Sequence, residues 1–247
     1  MTSPRISVCM ASYNGAELVE EQLTSILAQL GPHDEVVIVD DASTDGTVAR
    51  VLAVVDPRVH VETLTDNVGY VRAFERALRT ARGDVVLLSD QDDVWMPGRV
   101  HAMVDALARA DVVATNLATL DGPATIRGPY GQHDWRLHAR QSRQPARNIA
   151  AILIGNRPYY GCAMGLRRSA IDAVLPFPAY LTESHDLWIA LYGNVAHSIE
   201  HLDLRSVARR FHAHNATPDR PRGLVQVVRS RTLLVRCVLE LRRRVRR

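Results

Sequence analysis

Short runs rich in β-branched residues alternate with helical patterns through the first 120 residues, and this limits the fold more than any other feature of the chain. Parallel strands cannot be joined by tight turns and need crossovers, so the alternation predicts a parallel sheet covered by helices. Ile6–Met10 reads as the first strand. Val19, Leu23, Ile26, Leu27 and Leu30 then recur at helical spacing until Gly31-Pro32 ends the pattern. Glu35–Asp40, "EVVIVD", is apolar almost without a break, as expected of a strand buried on both faces. "ASTDGT" turns into a helix reaching about Val55, with Ser43 or Thr44 available as N-cap. Val59–Leu64 reads as a strand, Tyr70–Arg82 as a helix and Asp84–Ser89 as a strand. Pro97–Ala110 follows as a helix and Val112–Leu120 as a further strand.

Three polar groups fall just past strand ends: Ser12-Tyr13-Asn14, Asp40-Asp41, and the aspartates of "LSDQDDVW". Ligands of open α/β sheets bind outside the carboxyl ends of the strands, so the three groups are expected to face one site. Asp90, Asp92 and Asp93 fall within four positions. Crowded carboxylates repel, more so when partly buried, and a divalent cation would neutralise them. On spacing alone a solvated acidic turn remains the alternative.

The composition suits one sizeable domain: 247 residues, 47% hydrophobic and 23% charged. No signal-like leader and no apolar run of roughly 18 residues is seen. Cys9, Cys162 and Cys237 form no metal-ligand spacing, and an odd count suggests reduced thiols and a cytoplasmic location. All 30 Lys+Arg residues are arginine. Lacking lysine, the chain cannot supply a P-loop, Schiff-base or kinase lysine, nor that of the receiver-like signalling domain suggested by "VDD". A nucleotidyltransferase usually carries a basic, glycine-rich phosphate loop after its first strand, which "ASYNG" is not.

Residues 121–148 lack any sustained period and read as a flexible surface excursion. Order returns with Arg147–Ile154 and continues through "TESHDLWIALYGNV", a capped helix start. The expected division is a catalytic domain over 1–217, made of a nucleotide-sugar and metal-binding half (1–120), the excursion (121–148) and an acceptor half (149–217). A basic amphipathic helix over 218–247 completes the chain. From Arg205 onward thirteen arginines face two acids, which gives that segment +11 and leaves −8 for residues 1–204. The last segment carries Leu224, Val227, Leu234, Val238, Leu241 and Val245 near one helical face. Such a helix suits the anionic inner face of a membrane; the alternative is a terminal helix packed on the body. Nucleic acid is not expected, because no recognition motif or aromatic platform accompanies the charge.

Taken in order, "ISVCMASYNGAELVEEQLTSILAQ", "VVIVDDASTDGT", "DNVGYVRAFERALRTARGDVVLLSDQDDVWMP" and "HDLWIAL" resemble family 2 glycosyltransferases over about residues 4–217. Within them the chain is most similar to the bacterial rhamnosyltransferase-like branch. The resemblance implies a glycosyltransferase-A fold, an α/β/α sandwich that takes a UDP- or dTDP-sugar with Mg²⁺ or Mn²⁺ and inverts the anomeric centre. The acceptor would be a saccharide or a lipid-linked sugar in polysaccharide or glycoconjugate assembly. Ala11, Ser12 and Tyr13 match positions that pack the base and ribose, and Asp41 the acceptor of the base N3–H. Asn67, Gly69 and Arg72 would line the nucleotide. Asp90-Gln91-Asp92 matches the Asp-X-Asp motif, with Asp90 near ribose and metal, Asp92 ligating the metal and Asp93 in support. Asp186 of "ESHDLW" matches the catalytic base, with Glu183 as runner-up and His185 and Trp188 shaping the acceptor pocket. By spacing alone Asp186 is equally a helix cap. "RRFHAHN" resembles a later motif that would bring His212 towards the metal. A catalytically silent nucleotide-sugar-binding protein of the same fold is the competing expectation.

Overall fold

The computed structural model describes residues 3–120, 122–210 and 223–246. Its first half runs β1 (Ile6–Ser12), α1 (Val19–Leu27), β2 (Glu35–Asp40), α2 (Thr47–Ala53), β3 (Val59–Thr63), α3 (Tyr70–Thr80), β4 (Val85–Ser89), β5 (Val94–Trp95), α4 (Arg99–Leu107) and β6 (Val112–Leu120). Then come α5 (Pro145–Ile154), β7 (Met164–Arg167), α6 (Arg168–Val174), α7 (His185–Val195), β8 (Ile199–Arg210) and α8 (Leu224–Val245).

The eight strands form one sheet in the order β3-β2-β1-β4-β7-β6-β8-β5. The β1–β2, β2–β3, β1–β4 and β6–β8 pairs are parallel. β7 runs antiparallel between β4 and β6, and β5 pairs antiparallel with β8. The unbroken apolar run of "EVVIVD" has a simple cause. Val36 and Ile38 pack into one core layer with Leu23, Ile26 and Met103. Val37 and Val39 point into the other, with Phe74, Leu78 and Trp188. Successive side chains of a strand face opposite ways, so a sheet covered on both sides needs apolar residues at every position.

The direction of β7 positions the site. Because it opposes β4, the short 3-10 turn Gly161–Ala163 before it arrives at the edge where β4 ends. Gly165 lies opposite Leu87 there, and a β-carbon on it would stand 2.7 Å from the Leu87 side chain.

Two regions differ from expectation. In the predicted excursion, Leu137 is fully buried and exchanges two hydrogen bonds with the Asn116 side chain on β6. Arg205 of β8 donates to Asp134, His138 meets Asp203, and α5 begins inside the stretch at Pro145. These contacts are the opposite of a loose excursion. In α8 the expected apolar face is turned inward: Leu234, Val238 and Leu241 are buried together with Cys237. Arg244 donates to the carbonyls of Ala173, Val174 and Pro176, fastening the helix to the end of α6. No described helix is long and apolar enough to cross a membrane. All three cysteines are free and buried.

One buried cation joins the second half of the sheet to the first. Arg99, at the start of α4, is fully buried and donates to the Leu88 carbonyl at 3.1 Å, the Cys162 carbonyl at 2.7 Å and Ser206 Oγ at 2.7 Å. Its guanidinium lies 4.3 Å from the Trp95 ring centroid. Burial pulls its pKa down to about 10, while Cys162, Asp93 and Asp90 favour the charged form. Arg99→Met keeps much of the side-chain volume but leaves two carbonyls and a hydroxyl without a donor. The unfolding free energy in urea is expected to fall by about 3 kcal/mol, the range for stranding the partners of a buried charge. An unchanged denaturation midpoint would contradict the role given to this residue.

Candidate active site

Three loops at the carboxyl edge of β1, β2 and β4 are laced together by their own polar side chains. Ser12 Oγ donates to Asp40 at 2.8 Å, and Asp40 also accepts the backbone N–H and hydroxyl of Ser43. Asn14 receives the Thr44 N–H and gives its own to Ser43 Oγ. Gln91 forms a two-point pair with Tyr13, accepting its N–H at 2.9 Å and donating to its carbonyl at 2.9 Å. A β-carbon on Gly15 would fall 2.4 Å from the Gln91 amide, so glycine there admits the pairing. The Tyr13 ring remains 49% exposed, an open flat face beside the aspartates' loop.

Asp41 is buried, and its carboxylate oxygens accept the N–H groups of Val68 (2.7 Å) and Gly69 (2.9 Å). The Asn67 side chain donates to the Asp41 carbonyl. Gly69 has φ +86°, a conformation that favours glycine, and it caps α3. Asp41 therefore holds the 67–69 loop in place.

The acidic cluster lies where β4 gives way to β5. Asp93 is buried, and Asp90 is partly open to solvent. Both carboxyls are pushed well above their ordinary range, first by burial and then by neighbouring aspartates, with Arg209 opposing the shift. Asp93 also accepts a hydrogen bond from the Cys162 thiol and the N–H of Arg210 at 3.3 Å. The Arg209 guanidinium stands 5.8 Å from the Tyr160 ring centroid. Ligand atoms of Asp90, Asp93 and Cys162 fall within 4.8 Å of one another. Crowded carboxylate oxygens, whose mutual repulsion Arg209 and Arg99 only partly offset, fit a hard divalent cation such as Mg²⁺ or Mn²⁺. The Cys162 thiol is held strongly in its neutral form by burial and by Asp93, so it serves as a donor to Asp93.

Asp186 lies in the first turn of α7, near this cluster. It adds to the negative field at Asp90, Tyr70 and Tyr160, which places it among them. Burial raises its pKa to about 6, against a hydrogen bond from the Leu187 N–H to Oδ1 at 2.8 Å. The turn before it is fixed by Ser184, which has φ +62° and gives its N–H to the Tyr70 hydroxyl. Asp186 is thus a helix-end acceptor and a carboxylate of raised basicity at once. Its neighbour Glu183 is partly exposed.

Several expected contributors sit elsewhere. Trp188 is fully buried, donates to the Val174 carbonyl and lies under Arg244, so it is a core residue and no wall of an open pocket. His185 is buried with its ring stacked 4.3 Å from Phe74 and near Tyr70 and Phe177, and burial lowers its pKa to about 3. Arg72 bonds Glu75 and the carbonyls of Phe177 and Pro178, which orders the chain leading to α7. Its reach to a distant loop is what spacing could not reveal. His212 lies outside the described residues. Conversely, Gln91, Cys162, Arg99 and Arg209 carry weight in the site without having been marked for it. Only Gln91, inside the aspartate motif, had a local signal.

Residues 7–175 match the family model for Glycosyl transferase family 2. The succinoglycan biosynthesis protein ExoO of Rhizobium meliloti (strain 1021) is 37% identical over 115 residues, covering 47% of this chain and 32% of that protein. The crystal structure of S. aureus TarS 1-349 in complex with UDP matches with TM-score 0.67 and 21% identity, over 94% of this chain and 65% of that one. Mannosyltransferase PcManGT from Pyrobaculum calidifontis, in complex with GDP-Man and Mn²⁺, matches with TM-score 0.60 and 22% identity, over 89% and 59% of the two chains. At these identities the structural likeness establishes the fold, the mostly parallel sheet of the glycosyltransferase-A type. The matches to the first curated relatives span between 32% and 53% of those relatives' length. The sequence match, covering well over half of the chain, establishes that the protein belongs to glycosyl transferase family 2.

Proposed function

We propose that the chain is an inverting, metal-dependent glycosyltransferase that moves a sugar from a UDP- or dTDP-sugar, dTDP-rhamnose among the candidates, to a saccharide or lipid-linked acceptor. The observation that supports this reading is that Asp186, a carboxylate of raised pKa, is near enough to the Asp90–Asp93 cluster to add to the negative field at Asp90. A base and a cation site facing the same space are what a one-step displacement at an anomeric carbon requires. Family membership and the bound UDP of TarS support the donor class, and the naming of ExoO for succinoglycan biosynthesis supports polysaccharide assembly.

In this reading Tyr13 offers its exposed ring to the base, while Asp41, Asn67 and Gly69 shape the wall beside it. Leu187 holds Asp186 Oδ1, leaving the second oxygen to take the acceptor's hydroxyl proton. The acceptor oxygen then bonds the anomeric carbon as the bond to the diphosphate breaks and its electron pair leaves with the phosphate. Mg²⁺ or Mn²⁺ held by Asp90, Asp92 and Asp93 would supply positive charge for the departing diphosphate.

The same reading gives α8 a lipid surface. The residues left outside after packing include Val228, Val235 and Leu239, exposed by 64%, 45% and 53% and aligned along one line of the helix. Arg242, Arg243 and Arg246 flank that line near its end, a pattern suited to an anionic bilayer. Leu239→Glu with Val235→Glu should greatly reduce sedimentation with phosphatidylglycerol vesicles at low salt while leaving the melting temperature in place. Unchanged sedimentation would contradict the surface assigned.

Asp186→Asn keeps the size and capping ability of the side chain but cannot take a proton. Transfer is expected to fall by roughly 10²–10⁴-fold, chiefly in kcat, with melting temperature and nucleotide binding retained. In the parent enzyme the carboxylate must be deprotonated to act. The rate should therefore fall about tenfold per unit below about pH 6, where burial sets the Asp186 pKa, and level off above it. A fully active Asp186→Asn protein would exclude Asp186 as the base; a parent protein that binds donor without turnover would favour a silent binding protein.

A further inference from the structure

A second polar cavity, of about 550 Å³, opens beside α5. Three guanidinium groups line it, those of Arg140, Arg147 and Arg157, together with side-chain amides that include Gln144 and Asn156. No Asp or Glu is among the lining residues, and among the described residues none of the three arginines is ion-paired. The start of α5 borders the same space, with Pro145 in its first turn and no side-chain cap. At the other end of α5, Arg231 of α8 packs against Gly155, where an added β-carbon would lie 2.4 Å from its Nη2.

Arg157 is not a loose surface group. Its Nε donates to Asn148 Oδ1 at 3.2 Å and its Nη1 to the Asn156 carbonyl at 3.3 Å. Asn148 is fully buried and donates to Asn194, which donates in turn to the Tyr159 hydroxyl, itself paired with His201. A buried polar chain thus fixes one wall of the cavity. Burial lowers the Arg157 pKa; Tyr159 opposes that shift and the charge of Arg147 adds to it.

We infer that this cavity is a second anion site, distinct from the aspartate cleft, that binds a phosphate or pyrophosphate group through Arg140, Arg147 and Arg157. Arginine forks match phosphate oxygens in shape as well as charge, and the adjoining amides add neutral donors. Cys162 follows Arg157 by five positions, so the chain keeps their Cα atoms within about 17 Å of each other. The biological role that follows, anchoring the phosphate of a phosphate-bearing acceptor while its sugar end reaches Asp186, rests on the glycosyl-transfer reading. The binding itself does not.

The test is calorimetric titration of the full chain with inorganic pyrophosphate in EDTA, which leaves the aspartates without a cation. Binding is expected for the parent protein and for Asp92→Ala. It should weaken about tenfold or more in Arg140→Gln/Arg147→Gln, whose exposed positions leave the fold intact, and again in Arg157→Gln. Melting temperatures verify that each variant is folded. A parallel arm uses phosphatidylglycerol vesicles and the Leu239→Glu/Val235→Glu protein, from which the α8 surface has been removed. Vesicle binding that pyrophosphate competes away and that the arginine double variant loses assigns the site to lipid phosphate, whereas pyrophosphate binding alone assigns it to a soluble phosphate group. No pyrophosphate binding at millimolar concentration, or equal binding by a folded arginine double variant, overturns the site. Neither result bears on the transfer reading, which Asp186→Asn decides.

Discussion

The site depends on a repulsion that the fold keeps in place. Asp90 and Asp93 are crowded at the end of β4, and their environment penalises the ionised form of both. Left to itself such a turn would open into water. It is restrained because β4 is buried on both faces, β5 pairs with β8 just beyond it, and Arg99 fastens the Leu88 and Cys162 carbonyls from behind. The buried guanidinium offsets part of the negative field and leaves the open side of the carboxylates for a cation. Charge held out of equilibrium with solvent is a common way to prepare a binding site, since the penalty is met on folding and relieved on binding.

The surrounding loops follow the same logic at lower cost. Asp40 takes the hydroxyls of Ser12 and Ser43, Asn14 takes the amide of Thr44, Gln91 grips the backbone of Tyr13, and Asp41 gathers the amides of Val68 and Gly69. Each strand end is fixed by a side chain from another strand end. A ligand across this edge would meet preset loops, which reduces the ordering entropy of binding.

The sheet was legible in the sequence because periodicity records burial. "EVVIVD" lies between two core layers, and the aspartates past β4 had to be at a carboxyl edge. Other features depend on partners remote in the chain, where period carries no information. Arg72 reads as a nucleotide contact until the carbonyls of Phe177 and Pro178 come to meet it. Trp188 reads as a pocket wall until Val174 and Arg244 close over it. In α8, spacing identified Leu234, Val238 and Leu241 as one face but not what would cover it, and the body takes it. Cys162 passed as an isolated cysteine because only the reversed direction of β7 brings it to its partner, Asp93.

The central claim is that the aspartate cleft holds a divalent cation and, through it, a nucleoside diphosphate. Calorimetric titration of UDP into the full chain, with Mn²⁺ and then with EDTA, measures this most directly. The account predicts clear binding with Mn²⁺ that is lost in EDTA and in a folded Asp92→Ala variant. Equal UDP affinity with and without the cation would contradict it.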